Sequence, residues 1–160
     1  MNRRHFIQTT GLSLASVLIS DVVFASQKEQ LIHFPDAVTA IINNKPVSLK
    51  GTGKQQWSYE DVLVVLKNTN KSIVVEIQAP GVSLTEITLY WKTPLKEDSL
   101  ILNDHWERGY GDLEWRGLVP ERVLPWYFMI SDGKITHGYG VKTGCNAMCF
   151  WQVDDMGLTL

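Results

Sequence analysis

Residues 59–78, YEDVLVVLKNTNKSIVVEIQ, decide the fold class of this chain. Two runs rich in Val, Ile and Leu, residues 59–66 and 72–78, flank a polar turn at residues 67–71. β-Branched residues at this density are typical of strands that are buried against a second sheet. The stretch therefore predicts a pair of antiparallel strands inside a layered β structure.

The same period-2 pattern extends through the rest of the chain. Turn residues such as NNKP at 43–46 and SDG at 131–133 separate the apolar runs, and no stretch longer than about ten residues has a helical period. Further strands are predicted at residues 37–42, 47–49, 87–91, 124–130, 135–142 and 147–153, and from Leu158 onward. Short strands with regular turn punctuation favour an all-β fold, which we predict to be an antiparallel β-sandwich.

Composition narrows the classes of function. The chain has 160 residues, a length that predicts one folded domain. Its 15 Lys and Arg are balanced by 17 Asp and Glu, so we predict no nucleic-acid partner. Two cysteines and four histidines show no metal-ligand spacing, and we predict neither a metal nor another cofactor. A TIM barrel needs about 250 residues, so no such catalytic domain fits in this length.

Residues 1–25 have the layout of an export signal. Arg3 and Arg4 precede an apolar stretch at residues 10–19, and the small-residue ending VFA stands just before Ser26. Paired arginines at this position are typical of the bacterial twin-arginine signal, although Asn2 and Gln8 match it imperfectly.

Two alternatives to the twin-arginine signal stay open, an ordinary secretory signal and a retained membrane anchor. Asp21 interrupts the apolar stretch and leaves it short for a span, which disfavours the anchor. We predict a signal peptide at residues 1–25 and a sandwich domain at residues 26–160. The mature protein is then periplasmic or secreted, exported after folding and free of the membrane.

The two cysteines are expected to stay reduced. Cys145 and Cys149, four residues apart on one strand, would be about 13 Å from each other, which is beyond disulfide reach. We predict that both behave as small buried apolar residues.

Residues 102–125, LNDHWERGYGDLEWRGLVPERVLP, interleave charged and aromatic side chains too densely for a simple strand. Carbohydrate sites use this mixture, because charged groups bond the sugar hydroxyls while aromatic rings pack against the sugar face. Asp104 and Trp106 follow a strand directly and are the preferred ligand contacts. A purely structural loop held by salt bridges is the alternative. Trp115 stands in an alternating run and is predicted to pack in the core.

Catalytic signatures are missing from the sequence. It contains no Gly-x-Ser-x-Gly elbow, no phosphate-binding glycine loop and no metal-binding His pair. His105 and His137 are isolated, so structural roles are predicted for both.

Residues 104–153 carry a resemblance to a known family. The segments DHWERGYGDLEW, PERVLPWYF and THGYGVKTG resemble the N-terminal region of bacterial α-galactosidase-like (melibiase) proteins of glycoside hydrolase family 36. The resemblance implies a supersandwich-like N-terminal β domain that precedes a (β/α)8 barrel, and a sandwich loop that helps to wall the sugar subsite. Both catalytic carboxylates of such enzymes lie in the barrel.

The resemblance implies a limited set of roles in this chain. Asp104 would bond hydroxyls of a galactose-containing saccharide, and Trp106 would pack against the sugar ring. Glu107, Arg108 and Asp112 are weaker candidates or residues that support the loop, and no residue receives a catalytic role. The resemblance implies an incomplete sandwich without its catalytic barrel, inactive alone and prone to expose apolar surface. A free-standing periplasmic carbohydrate-binding module and a purely structural domain are the alternatives.

Overall fold

The computed structural model describes the backbone of residues 17–19 and, in full, residues 31–69, 72–103, 114–142 and 147–160. Every regular element in these ranges is a β-strand, and the strands pair antiparallel in sheets that pack together, which confirms the predicted β-sandwich. The strands are β1 Val17–Ile19, β2 Ala37–Ile42, β3 Lys45–Ser48, β4 Lys50–Gly53, β5 Gln56–Tyr59, β6 Val62–Asn68, β7 Ile73–Gln78, β8 Leu84–Trp91, β9 Leu100–Leu102, β10 Leu124–Pro125, β11 Tyr127–Ser131, β12 Thr136–Gly140, β13 Phe150–Val153 and β14 Leu158–Thr159.

The first sheet is built around residues 59–78, which contain β6 and β7. Its strand order is β1-β7-β6-β5-β4, and β6 pairs with β7 so that Leu66 lies opposite Val75. Alternate side chains of both strands are buried, including Val64 and Ile77. The alternation follows from the two-residue period of a strand and gives this sheet one continuous apolar face.

The second sheet has six strands in the order β10-β13-β14-β8-β2-β3. β2 and β3 form a hairpin whose two turn residues, Asn43 and Asn44, have φ angles of 50° and 61°. Asn tolerates this left-handed conformation, so the pair makes a two-residue turn that matches the twist of the strands. The turn is shorter than the four residues predicted, and Lys45 and Pro46 belong to β3.

A third sheet, β12-β11-β9, covers part of the second one. Phe128 of β11 packs edge-on against Trp151 of β13, with ring centroids 5.2 Å apart, and also contacts Tyr139 of β12 at 5.4 Å. Trp91 of β8 lies 5.9 Å from Trp151 on the same side. These four aromatic residues are almost fully buried and join the two sheets.

Two of the predicted strands are interrupted by local backbone turns. Residues 59–66 were predicted as one strand, but Glu60 has a φ of 48° and turns the chain between β5 and β6. Trp126, with a φ of 67°, likewise separates β10 from β11. Neither Glu nor Trp is a typical turn former, so these two breaks could not be predicted from residue type. The short strands β4 and β9 were not predicted.

The chain from Leu31 onward is anchored to the sandwich. The backbone N–H of Leu31 donates to the Tyr139 hydroxyl at 3.0 Å, and the Thr93 hydroxyl donates to the Leu31 carbonyl at 2.9 Å. Trp91 Nε1 donates to the His33 carbonyl at 3.1 Å, and Ile32 is fully buried. β1 lies within the predicted signal peptide and pairs with the outer edge of β7. Among the described residues, no helix is long and apolar enough to cross a membrane.

Candidate functional site

The predicted sugar-contacting residues belong to a segment that the structure does not describe. Asp104, Trp106, Glu107, Arg108 and Asp112 all lie outside the described residues. Their roles therefore stay predictions. The structure does describe both ends of the segment, and these ends form its stem.

The stem is closed by a short antiparallel bridge. The N–H of Ile101 donates to the carbonyl of Arg116 at 2.7 Å, and the N–H of Arg116 donates back to Ile101 at 2.9 Å. Ile101 belongs to β9 and pairs on its other side with Ile130 of β11. The described residues on either side of residues 104–113 are thus held together at the edge of the third sheet.

Buried Asn103 fixes the first end of the stem. Its Nδ2 donates to the backbone carbonyl of Tyr127 and, at 3.4 Å, to that of Pro125. Arg122 Nη2 donates to the Asn103 carbonyl at 3.4 Å. Because buried amides must be hydrogen-bonded, this residue ties the loop to β10 and β11 rather than serving a ligand.

Charged groups gather at the second end. Arg116 Nε donates to Glu114 Oε1 at 2.9 Å, and both side chains are about half exposed. Burial lowers the pKa of Arg122, the positive charge of Arg116 lowers it further, and Glu114 opposes the shift. Arg122 nevertheless stays protonated, because the guanidinium pKa lies far above neutrality. Two guanidinium groups close to one carboxylate make the stem a good partner for hydroxyl or carboxylate oxygens.

Trp115 contradicts its prediction. It was expected in the core, but 41% of its surface is exposed, and Glu114 and Arg116 beside it are exposed too. The reason is that residues 114–116 contribute a single bridge to the sheet edge, so the local alternation has no opposing sheet to be buried against.

The remaining predicted residues have plain structural positions. Cys149 is buried, as predicted, whereas Cys145 and His105 lie outside the described residues. His137 stacks nearly parallel to the Tyr139 ring, with centroids 6.4 Å apart. Burial raises the pKa of Tyr139, whose hydroxyl accepts the bond from Leu31. Within the described ranges, no group of three His, Cys, Asp or Glu residues could hold a metal ion.

A cavity of about 830 Å³ lies apart from the stem, between β8 and β13 and over β7. Its described walls are mostly apolar side chains, and among the described residues Glu86 is the one charged residue that lines it. Glycoside hydrolysis requires two carboxylates, and the described lining supplies one. The cavity could not be predicted from the sequence, because no local pattern shows where two distant strands stop pairing.

Comparison of the chain with protein-family models, with curated proteins and with solved structures found no match.

Proposed function

We propose that this chain is the N-terminal β-sandwich of an exported α-galactosidase-like glycoside hydrolase and lacks the catalytic barrel. The sequence resemblance of residues 104–153 gives the proposal its family, and the described part of that block forms strands β10 to β13. An antiparallel sandwich with an anchored loop at the edge of one sheet is the architecture that the resemblance implies.

One observation carries the proposal. Val123, Met148 and Phe150 are 50%, 56% and 40% exposed, and all three line the same cavity. Exposed apolar side chains grouped at one place are typical of surfaces that bind a protein segment, a ligand or a membrane. It is what we expect of a sandwich that packs against the rest of a longer enzyme.

The proposal assigns recognition rather than catalysis to this chain. Asp104 bonds hydroxyls of a galactose-containing saccharide and Trp106 packs on its ring, while Glu107, Arg108 and Asp112 support the loop. The nucleophilic and acid/base carboxylates of a retaining mechanism belong to the barrel. No metal or other cofactor is required.

The direct test is to read the DNA beyond the codon for Leu160 in all three frames. The proposal expects coding sequence for a (β/α)8 barrel, and its absence contradicts the proposal. An assay with a nitrophenyl α-galactoside gives an independent check. The purified 160-residue chain should release no nitrophenol, and turnover by this chain alone would contradict the missing-barrel proposal.

Export is tested separately. A double substitution of Arg3→Lys and Arg4→Lys should trap the chain in the cytoplasm if the twin-arginine route carries it. Unchanged export would favour an ordinary secretory signal, because that signal needs only a positive charge.

A second candidate is a free-standing carbohydrate-binding module. Exposed Trp115 favours it, because its neighbours in the chain, Glu114 and Arg116, are exposed as well and form an ion pair. An aromatic face next to hydrogen-bonding groups suits the apolar face and the hydroxyls of one sugar.

Calorimetry with galactose and with α-galactosides tests this candidate. Binding that Trp115→Ala and Trp106→Ala both weaken, with Met129→Ala as the exposed apolar control, would support it. Absence of heat at millimolar sugar would rule it out.

A further inference from the structure

We propose that residues 17–19 form a removable strap, a short strand of the export signal that closes the outer edge of β7 until the signal is cleaved. The removal step rests on the export signal of the proposed function, whereas the pairing of β1 with β7 is a feature of the fold. Cleavage at the predicted point behind Ala25 separates the strap from the domain and leaves the edge of β7 open.

β7 needs such a cover more than the strands at the other ends of the two larger sheets. Those strands carry residues that discourage pairing with another chain, namely Pro46 in β3, Lys50 in β4 and Pro125 in β10. β7 has neither a proline nor a lysine, and four of its six residues are Val or Ile. Its one charged residue, Glu76, is neutralised by an ion pair with Lys67 at 2.6 Å. An open edge of this composition is prone to self-association.

The hydrogen bonds at the turn between β6 and β7 show which backbone groups of β7 face outward. The N–H of Thr69 donates to the carbonyl of Ser72 at 2.8 Å, so these two residues form a hydrogen-bonded pair of the ladder. In an antiparallel ladder every second pair is of this kind, and Val74 and Glu76 therefore direct their N–H and C=O toward β6. The residues between them direct theirs to the opposite edge.

The strap lies against these outward groups. Val17 is opposite Ile77, and Ile19 is opposite Val75. The alternation makes both of them hydrogen-bonded pairs, while the middle residue, Leu18, directs its N–H away from β7. β1 thus pairs the backbone groups of Val75 and Ile77 that the edge would otherwise expose.

The strap stays in place only while it is tethered. An isolated pair of short strands is marginally stable in water, so three residues cannot hold a separate peptide on the edge. As part of the same chain, β1 is present at a high effective concentration beside β7. Cleavage behind Ala25 removes this advantage, and release of the strap follows.

Hydrogen exchange in the full 160-residue chain tests the pairing. Ile19→Pro removes an N–H that bonds to β7, so the amides of Val75 and Ile77 should exchange roughly tenfold faster or more. Leu18→Pro is the matched control, because its N–H points away from β7 and an edge strand tolerates proline there. It should leave both amides at their original rates.

The amides of Val74 and Glu76 are internal references, because they bond to β6 rather than to the strap. Their exchange rates should be the same in the unsubstituted chain and in both proline variants. Unchanged rates at Val75 and Ile77 in the Ile19→Pro chain, or equal effects of the two prolines, would overturn the proposal.

The processed chain tests the removal. We expect chain recovered after export to begin at Ser26 by mass spectrometry, with fast exchange at Val75 and Ile77 and slow exchange at the two references. A chain that keeps residues 17–19, exported or not, would overturn the removal. So would slow exchange at Val75 and Ile77 after cleavage, or fast exchange at all four amides, which would make β1 a part of the core.

These rates concern the edge of β7 alone. The downstream reading frame and the α-galactoside assay test the proposed function, and the Arg3→Lys and Arg4→Lys substitution tests the route of export. The strap and the proposed function can therefore fail separately.

Discussion

The two sides of β8 differ in how far their neighbouring strands extend. On one side β2 pairs with β8 over its whole length, from Ala37 opposite Tyr90 to Ile42 opposite Leu84. A register shift next to Ile42 is accommodated within this pairing. On the other side β14 pairs only with the C-terminal end of β8, at Trp91, Tyr90 and Leu89.

Burial of the core side chains and complete pairing of the strand edges are therefore separate properties of this fold. Beneath the short β14 the core is closed, since Leu158 and Trp151 are fully buried. Beyond its end no described strand pairs with β8 on this side, and Val123, Met148 and Phe150 of the cavity lining are exposed. The core side chains are therefore buried although, among the described residues, one edge of β8 is only partly paired.

The largest expected effect comes from breaking the closed side. Trp151→Ala removes a fully buried ring that contacts both Trp91 and Phe128, and large aromatic deletions in cores cost about 3–5 kcal/mol. Urea denaturation followed by circular dichroism measures the loss. The neighbouring Phe150→Ala, on the exposed face of the same strand, should cost less than about 1 kcal/mol.

Equal losses of unfolding free energy for Trp151→Ala and Phe150→Ala would contradict this separation of core burial from strand pairing. They would mean that Phe150 is as well packed as Trp151, and that the cavity does not exist in solution.

The next effect concerns how β14 reaches its place. A Cβ at Gly157 would fall on the carbonyl oxygen of Trp91, so Gly157→Ala must push β14 away from the end of β8. Overpacking of this kind costs about 1–3 kcal/mol. Gly53→Ala is the matched control, because no atom lies within 4 Å of the added carbon there. Thermal unfolding should separate the two variants, and an unchanged midpoint for Gly157→Ala would contradict the close contact.

Sequence reasoning reached the all-β sandwich because local period-2 patterns determine which residues form strands. The strands β7 and β14 begin within one residue of their predicted starts, since Ile73 and Leu158 follow clear turn residues. The hairpin at Asn43 was also expected, because Asn adopts positive φ at little cost.

What could not be predicted depends on contacts between distant residues. Trp115 is exposed because no opposing sheet covers residues 114–116, and Ile101 meets Arg116 only through the folded edge of the third sheet. The length of pairing between β8 and β14 is likewise a property of the assembled sheet. Local alternation contains no information about either.

Hydrogen exchange compares the backbone amides on the two sides of β8 without any substitution. The amides of Leu89 and Thr88 are paired with β14 and β2, whereas that of Ile87 points toward the open side. We expect the Ile87 amide to exchange roughly tenfold faster or more than its two neighbours, because it needs no opening of the ladder. Equal protection of the three amides would show that another segment already occupies the cavity.

The smallest expected effect on stability comes from Asp132, in the turn between β11 and β12, which lies outside both sides of β8. Lys96 donates to Asp132 at 2.6 Å, and the N–H groups of Ile135 and Lys134 donate to the same carboxylate, so the pKa of Asp132 is held well below its ordinary value. A depressed folded-state pKa stabilises the protein above the unfolded-state value of about 3.9, and this stabilisation is lost as the pH falls below it. Asp132→Asn should therefore lower the urea midpoint slightly at pH 7, and the difference from the unsubstituted chain should shrink progressively as the pH falls below about 4. Because no described residue of this turn lines the cavity, the same difference should appear in the Phe150→Ala background, and a difference that depends on that background would mean that the two regions are coupled.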